Sequence, residues 1–203
     1  MEKTKVAIYG ASGHGKVLAM MAKSLGYEEI IFIDDGDNEY LSFKEFFKKH
    51  QKDIPVVLGI GENSIREVVY NNLKSHGCEV LTLIDSSAII AQSVRIEEGV
   101  VIMPRVVINP DAHIKTGSIL NSACVVEHDC HIGEFTHISP SVAMAGGVDI
   151  GDRTHIGIGA VVIQNIKIGS NVIVGAGSVV ISDVIDDIVV AGNPVKKIRN
   201  IDE

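Results

Sequence analysis

The chain has 203 residues, 46% apolar and 22% charged, a balance that excludes a disordered polymer and suits one elongated domain or two small ones. With aromatic residues at 4% and no Trp, its core must be mainly aliphatic. Lys and Arg number 18 against 26 Asp and Glu, and the net charge of -8 repels phosphate backbones and anionic lipid, which argues against nucleic acid or a membrane surface as partner.

The first residues run directly into an apolar strand pattern without a signal-peptide signature, and no uninterrupted apolar stretch approaches the roughly 18 residues of a membrane span, so the expected location is cytoplasmic. Residues Val6 to Ser12 read as a buried strand, Lys16 to Leu25 as a helix and Glu29 to Asp35 as a second strand. The alternation continues with a helix over Ser42 to His50, a strand over Val56 to Ile60, a helix over Ser64 to Ser75 and a strand over Glu79 to Ile84. Together these predict a small parallel sheet covered by helices, a domain over residues 1–82. Its first turn, Gly10-Ala11-Ser12-Gly13-His14-Gly15, is glycine-rich and opens a helix, an arrangement that suits a phosphate, although the spacing is not that of dinucleotide folds. Asp34 and Asp35 fall at the end of the second strand, where nucleotide-binding α/β folds place acceptors for hydroxyl or base groups. A tight turn and a solvated strand end explain the same residues without a ligand.

From Leu83 the pattern changes to consecutive sixes, LIDSSA, IIAQSV, RIEEGV and onward without a slip to VVISDV. The second residue of each hexad is Ile, Val, Leu or Met, from Ile84 to Val180, and the sixth is small or β-branched in every case. A helix of period 3.6 cannot hold such a repeat. A parallel β-helix can, with each hexad giving one short strand and one turn and three hexads closing a triangular coil. Residues 18 apart then stack, at the spacing of neighbouring strands, about 4.8 Å. The second domain is therefore expected over residues 83–203, β-helical from Leu83 to Val184 with a tail beyond. Cys124 and Cys130 occupy sixth positions and read as core filler. With Cys78 they make an odd count lacking any C-x-x-C pair, so neither a disulfide framework nor a cysteine zinc site is expected.

Five of the eight histidines lie in the repeat. His113 and His131 are 18 apart, as are His137 and His155, so each pair reads as a solvated ladder. His128 differs, because the residue one coil above it is Gly146, where a missing side chain leaves room for a ligand. Asp129 follows directly, and a carboxylate beside an imidazole fixes its tautomer and raises its basicity. The two cooperate only if the hexad corner turns both outward.

The segments YGASGHG (Tyr9 to Gly15), GIGENSIR (Gly59 to Arg66) and above all EHDCHIGEFTHIS (Glu127 to Ser139) resemble the bacterial acetyl-CoA-dependent sugar acyltransferases that join a small Rossmann-like nucleotide-binding domain to a hexapeptide β-helix, in particular the branch acting on UDP-4-amino sugars in the bacillosamine pathway. The resemblance implies left-handed winding, acetyl-CoA as co-substrate, a nucleotide sugar as acceptor, no metal, and a homotrimer. It further implies His128 as general base with Asp129 as its carboxylate, a Glu in the nearest branch. It places His137, Gly146 and Ile158 along the coenzyme A groove, and Ser12, Gly13, His14, Asp34, Asp35 and Gly61 on the nucleotide-sugar side. The ending AGNPVKK resembles the tail that closes the coenzyme A site, which brings Lys196 and Lys197 toward its phosphates. Sialic-acid O-acetyltransferases share this architecture, so O-transfer stands as an alternative to N-transfer. Two other readings are a zinc carbonic anhydrase of hexapeptide type, whose histidine spacing His128, His131 and His137 do not match, and a non-catalytic assembly subunit.

Overall fold

The computed structural model describes residues 4–203, which divide into two compact units, the first ending at Leu83 and the second beginning at Ile84. In the first unit β1 (Lys5–Tyr9), α1 (Gly13–Ser24), β2 (Glu29–Ile33), α2 (Phe43–His50), β3 (Val56–Leu58) and α3 (Asn63–Ser75) form a three-stranded parallel sheet of order β2-β1-β3. Its middle strand is buried from Val6 to Tyr9, as the apolar run requires. Ser42 closes a capping box with Glu45 at the start of α2, and Glu62 accepts the Ile65 N–H at the start of α3.

Three sequence expectations need correction here. Helix α1 starts at Gly13 rather than Lys16, because Gly15 packs so closely on the Gly10 carbonyl that no side chain fits, which lets the glycine loop turn straight into the helix. Strands β1 and β2 end at Tyr9 and Ile33, so Asp34 and Asp35 follow the strand rather than end it. The expected strand over Glu79 to Ile84 does not join this sheet as a strand, for only Val80 forms an isolated bridge with Val56.

The second unit is a left-handed parallel β-helix of about six turns. Its hexads give two-residue strands from Leu83–Ile84 to Val179–Val180, stacked with a register of 18 residues into three faces. The first face holds His137–Ile138 and His155–Ile156, the second Val125–Val126 and Ala143–Met144, the third His131–Ile132 and Asp149–Ile150. From Ile102 upward every second-position side chain is at most 2% exposed, and with the sixth positions these make one continuous aliphatic core. Each fifth position from Gly99 to Gly177 has φ between 53° and 70° and turns the corner. The last hexad strand is Val179–Val180, and two longer strands follow it. Ile188–Gly192 adds to the first face beside Ile173–Val174 and pairs antiparallel with Val195–Asn200, whose lysines and arginine protect the sheet edge.

Candidate active site

His128 and Asp129 are the fourth and fifth residues of their hexad and sit on the corner that joins the second face to the third. Asp129 has φ 59°, and this left-handed turn brings two sequence neighbours to the same outer side, so that His128 Nδ1 lies 2.7 Å from Asp129 Oδ2. Both side chains are largely exposed, at 62% and 65%. The hydrogen bond to Asp129, with the negative charges of Asp129 and Glu127, raises the His128 pKa above its ordinary value. With Nδ1 held by the carboxylate, Nε2 is the nitrogen left to take a proton.

Gly146 stands one coil above, and a Cβ there would come within 2.5 Å of His128 Cε1 and 2.6 Å of Nε2. The ring therefore fills the space that any other residue at 146 would claim. The Gly147 N–H donates to the His128 carbonyl at 2.9 Å and ties the two coils together. Among the described residues no acceptor meets the Gly146 N–H, a backbone donor on the residue against which the His128 ring packs.

The other residues expected along the coenzyme A groove stand elsewhere in the same chain. His137 projects from the first face, the face opposite the His128 corner, where it stacks on His155 at 4.9 Å with rings 4° from parallel and faces the Asn121 side-chain amide at 3.0 Å. Ile158, 55% exposed, lies on the corner between the first and second faces. One chain thus brings His128, Asp129 and Gly146 together and holds His137 and Ile158 apart from them. Lys196 and Lys197 are exposed in the terminal hairpin.

In the first unit a pocket of about 400 Å³ opens at the carboxyl ends of the strands, lined by Tyr9, Gly10, Ser12, Asp34, Asp35, Ile60, Gly61, Glu62, Ile65 and Val69. Because β2 and β3 flank β1 on opposite sides, this is the switch point at which open α/β sheets take ligands. Gly10, Gly15 and Gly59 are explained by close backbone packing, but a Cβ at Gly13 or Gly61 would meet nothing within 4 Å. Their bareness leaves room at the helix start and the pocket rim.

The two aspartates turn out to be structural supports of that pocket. Asp34 accepts the Ala11 and Gly36 N–H groups at 2.9 and 3.0 Å and the Asn38 amide at 2.9 Å, and these bonds hold its pKa below the carboxylate range. Asp35 accepts the Phe43 N–H at 2.7 Å and the Tyr9 hydroxyl, and burial is the main reason that hydroxyl titrates above its usual range. His14 does not line the pocket. Burial, helped by the Arg66 charge, lowers its pKa to about 4. Sequence reasoning missed Arg66 as a site residue, although it occupies the inward stripe of α3 with Val69 and Leu73. Fully buried, it donates to the carbonyls of Ile60 and Gly61, both at 3.1 Å, and to Asn63 Oδ1 at 2.8 Å, which fixes the pocket wall. Among the described residues no three His, Cys, Asp or Glu side chains gather as metal ligands would, and no helix is long and apolar enough to cross a membrane.

Comparison with known proteins decides the family. Residues 5–73 match the PglD N-terminal domain, and residues 147–182 match the bacterial transferase hexapeptide (six repeats). Over 97% of each chain, the fold superposes with a TM-score of 0.92 and 32% identity on a mutant of perosamine N-acetyltransferase from Caulobacter crescentus in complex with CoA and GDP-perosamine. The chain belongs to the hexapeptide-repeat nucleotide-sugar N-acetyltransferases. A second member of this family, the acetyltransferase domain of PglB from Neisseria gonorrhoeae in complex with acetyl coenzyme A, is 35% identical with a TM-score of 0.89, covering 96% of this chain and 98% of that one. Among curated proteins, UDP-N-acetylbacillosamine N-acetyltransferase of Bacillus subtilis is 35% identical over 109 residues, 48% of this chain and 50% of that protein. The chain thus matches about half the length of this curated relative.

Proposed function

We propose that the protein transfers an acetyl group from acetyl-CoA directly to the 4-amino group of a nucleotide-linked amino-deoxysugar, with His128 as general base. The observation that carries this reading is the His128 ring lodged beneath Gly146 with its Nδ1 held by Asp129. In the proposed step the amine nitrogen bonds to the thioester carbonyl carbon, His128 Nε2 takes the proton that nitrogen sheds, and the Gly146 N–H donates to the carbonyl oxygen as it gains charge. The carbon–sulfur bond then breaks, and the proton on His128 passes to the leaving thiolate, giving an amide and free coenzyme A. The named relatives act on amines, which favours N- over O-transfer.

The first unit is assigned the nucleotide sugar, with Ser12, Gly13 and Gly61 along its path, Asp34 and Asp35 in the walls, and His14 in the first turn of α1. The N-terminus of α1 at Gly13 suits its phosphates, since the Ser12 side chain does not cap it and no acidic residue in that first turn opposes them. His137, Gly146 and Ile158 are assigned to acetyl-CoA.

We further propose a homotrimer. The second face presents Ile89, Val107, Val125, Ala143, Val161 and Val179 outward, apolar without exception, whereas the third presents Arg95, His113, His131, Asp149 and Lys167. A solvated sheet face would alternate with polar side chains, so the aliphatic ladder suits a second copy. Only a neighbouring chain could then bring His137 and Ile158 toward the His128 corner. The cytoplasm is the proposed location, in keeping with three free cysteines, Cys78, Cys124 and Cys130.

The test is coenzyme A release with UDP-, dTDP- and GDP-linked 4-amino sugars, with sialic acid and its CMP conjugate in the same plate. One amino sugar should be turned over, and His128→Ala should lower kcat by about 10² to 10⁴ with sugar-nucleotide binding intact. Release with no amino sugar, or normal kcat without His128, removes the reading.

A further inference from the structure

The peptide that presents the Gly146 N–H has a second contact, on its inner side. The Cys130 thiol, fully buried, donates to the Ala145 carbonyl at 3.3 Å. That carbonyl and the Gly146 N–H belong to one planar peptide, so a bond that draws the oxygen inward turns the N–H outward.

The same device recurs three times on the corner between the third and first faces, where it serves as an internal control. There Ser118, Thr136 and Thr154, at the same hexad position as Cys130, donate 15 residues ahead to the carbonyls of Gly133, Gly151 and Gly169, at 2.7, 2.9 and 2.6 Å. In each case the N–H of the next residue points out and finds an acceptor: Glu134 on Asp152 at 2.8 Å, Asp152 on Ser170 at 3.1 Å, Ser170 on Asp186 at 2.8 Å. At Ala145–Gly146 the inner donor is present, the N–H of the next residue has no acceptor among the described residues, and the His128 ring packs against Gly146. Cys124, at the same hexad position on the remaining corner, is equally buried without such a bond.

We propose that Cys130 is a positioning residue of the acyl-transfer site, its thiol orienting the Ala145–Gly146 peptide so that the Gly146 N–H meets the carbonyl oxygen where charge develops. The proposal rests on the general-base reading of His128 given above. One segment, His128-Asp129-Cys130, then sets both halves of the site: the carboxylate aims the base and the thiol aims the oxyanion donor. Cys130 touches no substrate.

The experiment compares Cys130→Ala, Cys130→Ser, Cys124→Ala and His128→Ala in the full chain, with thermal unfolding beside steady-state kinetics. Loss of an oxyanion donor typically costs 10² to 10³ in kcat, and loss of its orientation a fraction of that, so Cys130→Ala should lose about tenfold in kcat. KM for acetyl-CoA and the acid limb of the pH profile should stay where they are. Serine, which makes the corresponding bond from the same hexad position at Ser118, should restore most of the rate, and Cys124→Ala should keep it despite a similar loss of buried volume. Wild-type kcat in Cys130→Ala, or equal losses in Cys130→Ala and Cys124→Ala, overturns the proposal while His128→Ala still shows a collapsed rate. If His128→Ala is itself fully active, the general-base reading fails and this proposal fails with it.

Discussion

Adding one methyl group at Gly146 tests the site more sharply than removing the base. A Cβ built there lies 2.5 Å from His128 Cε1, 2.6 Å from Nε2 and 3.0 Å from Nδ1, so the ring must retreat by about 1 Å to reach ordinary van der Waals contact. What it meets is the end of an exposed side chain, which can swing into solvent by giving up its 2.7 Å bond to Asp129. Gly146 has no positive φ, so alanine adds no backbone strain. Stability should therefore stay within about 0.5 kcal/mol of wild type. A reacting group displaced by about 1 Å costs on the order of 10² in rate, and that is the expected fall in kcat. Gly151→Ala is the contrast: its Cβ would meet the Gly169 carbonyl carbon and the Ser170 nitrogen at 2.5 Å, backbone atoms that cannot step aside. That variant should lose several degrees of Tm. Coenzyme A release and thermal unfolding, run on both proteins, separate the cases. Full activity in Gly146→Ala refutes the claim that ring and peptide form one site.

Three further outcomes are expected. Asp129→Asn keeps a residue suited to φ 59° but removes the charge that raises the His128 pKa, so the acid limb of the pH profile for kcat/KM should move to lower pH; an unmoved limb denies Asp129 that role. His14 titrates near 4 in the fold against 6.5 when unfolded, so the unfolded state takes up a proton that the folded one refuses. The first unit should lose up to about 3 kcal/mol as pH falls from 6.5 to 4, with no further loss from this group below, and His14→Gln should flatten that slope in urea unfolding. Asp34→Ala breaks charge-assisted bonds to two backbone N–H groups, so unfolding should show a loss of about 2 kcal/mol together with weakened sugar-nucleotide binding in calorimetry; unchanged stability would mean that the glycine loop does not depend on this carboxylate.

The solenoid was legible because its geometry repeats without exception: an inward aliphatic at each second position is a physical requirement of every strand, so the sequence must show it. The corners were not legible in the same way. Each fifth position from Gly99 to Gly177 is left-handed, yet the chain fills these positions with Arg105, Phe135 and Arg153 as well as Gly and Asp. The stacked coils impose a conformation that those residues would not choose alone, so composition does not betray it. In the first unit the glycine-rich turn points to a helix from Lys16, whereas Gly13 and Gly15 already belong to the first turn of α1. The strand expected over Glu79 to Ile84 had the right residues, but only Val80 lies where β3 can pair with it.

For the site, the same arithmetic reached some residues and stopped at others. Counting by 18 placed Gly146 over His128 and paired His137 with His155, because vertical stacking is all that period encodes. By face, the first positions are wholly apolar on the second and wholly polar on the third, and His137 falls on the face opposite His128. A site that needs both histidines cannot then be complete in one chain. This makes the aliphatic second face and the catalytic corner a single argument: the face supplies the reason for copies to associate, and the corner at its edge is where association would deliver the missing residues. The proposed trimer accordingly carries a kinetic consequence. Replacing Val125 with Glu on that face should weaken assembly and, at the same protein concentration, depress activity in step with the loss of oligomer seen by light scattering. An active monomer would break the link between face and corner and return His137 to a solvated ladder.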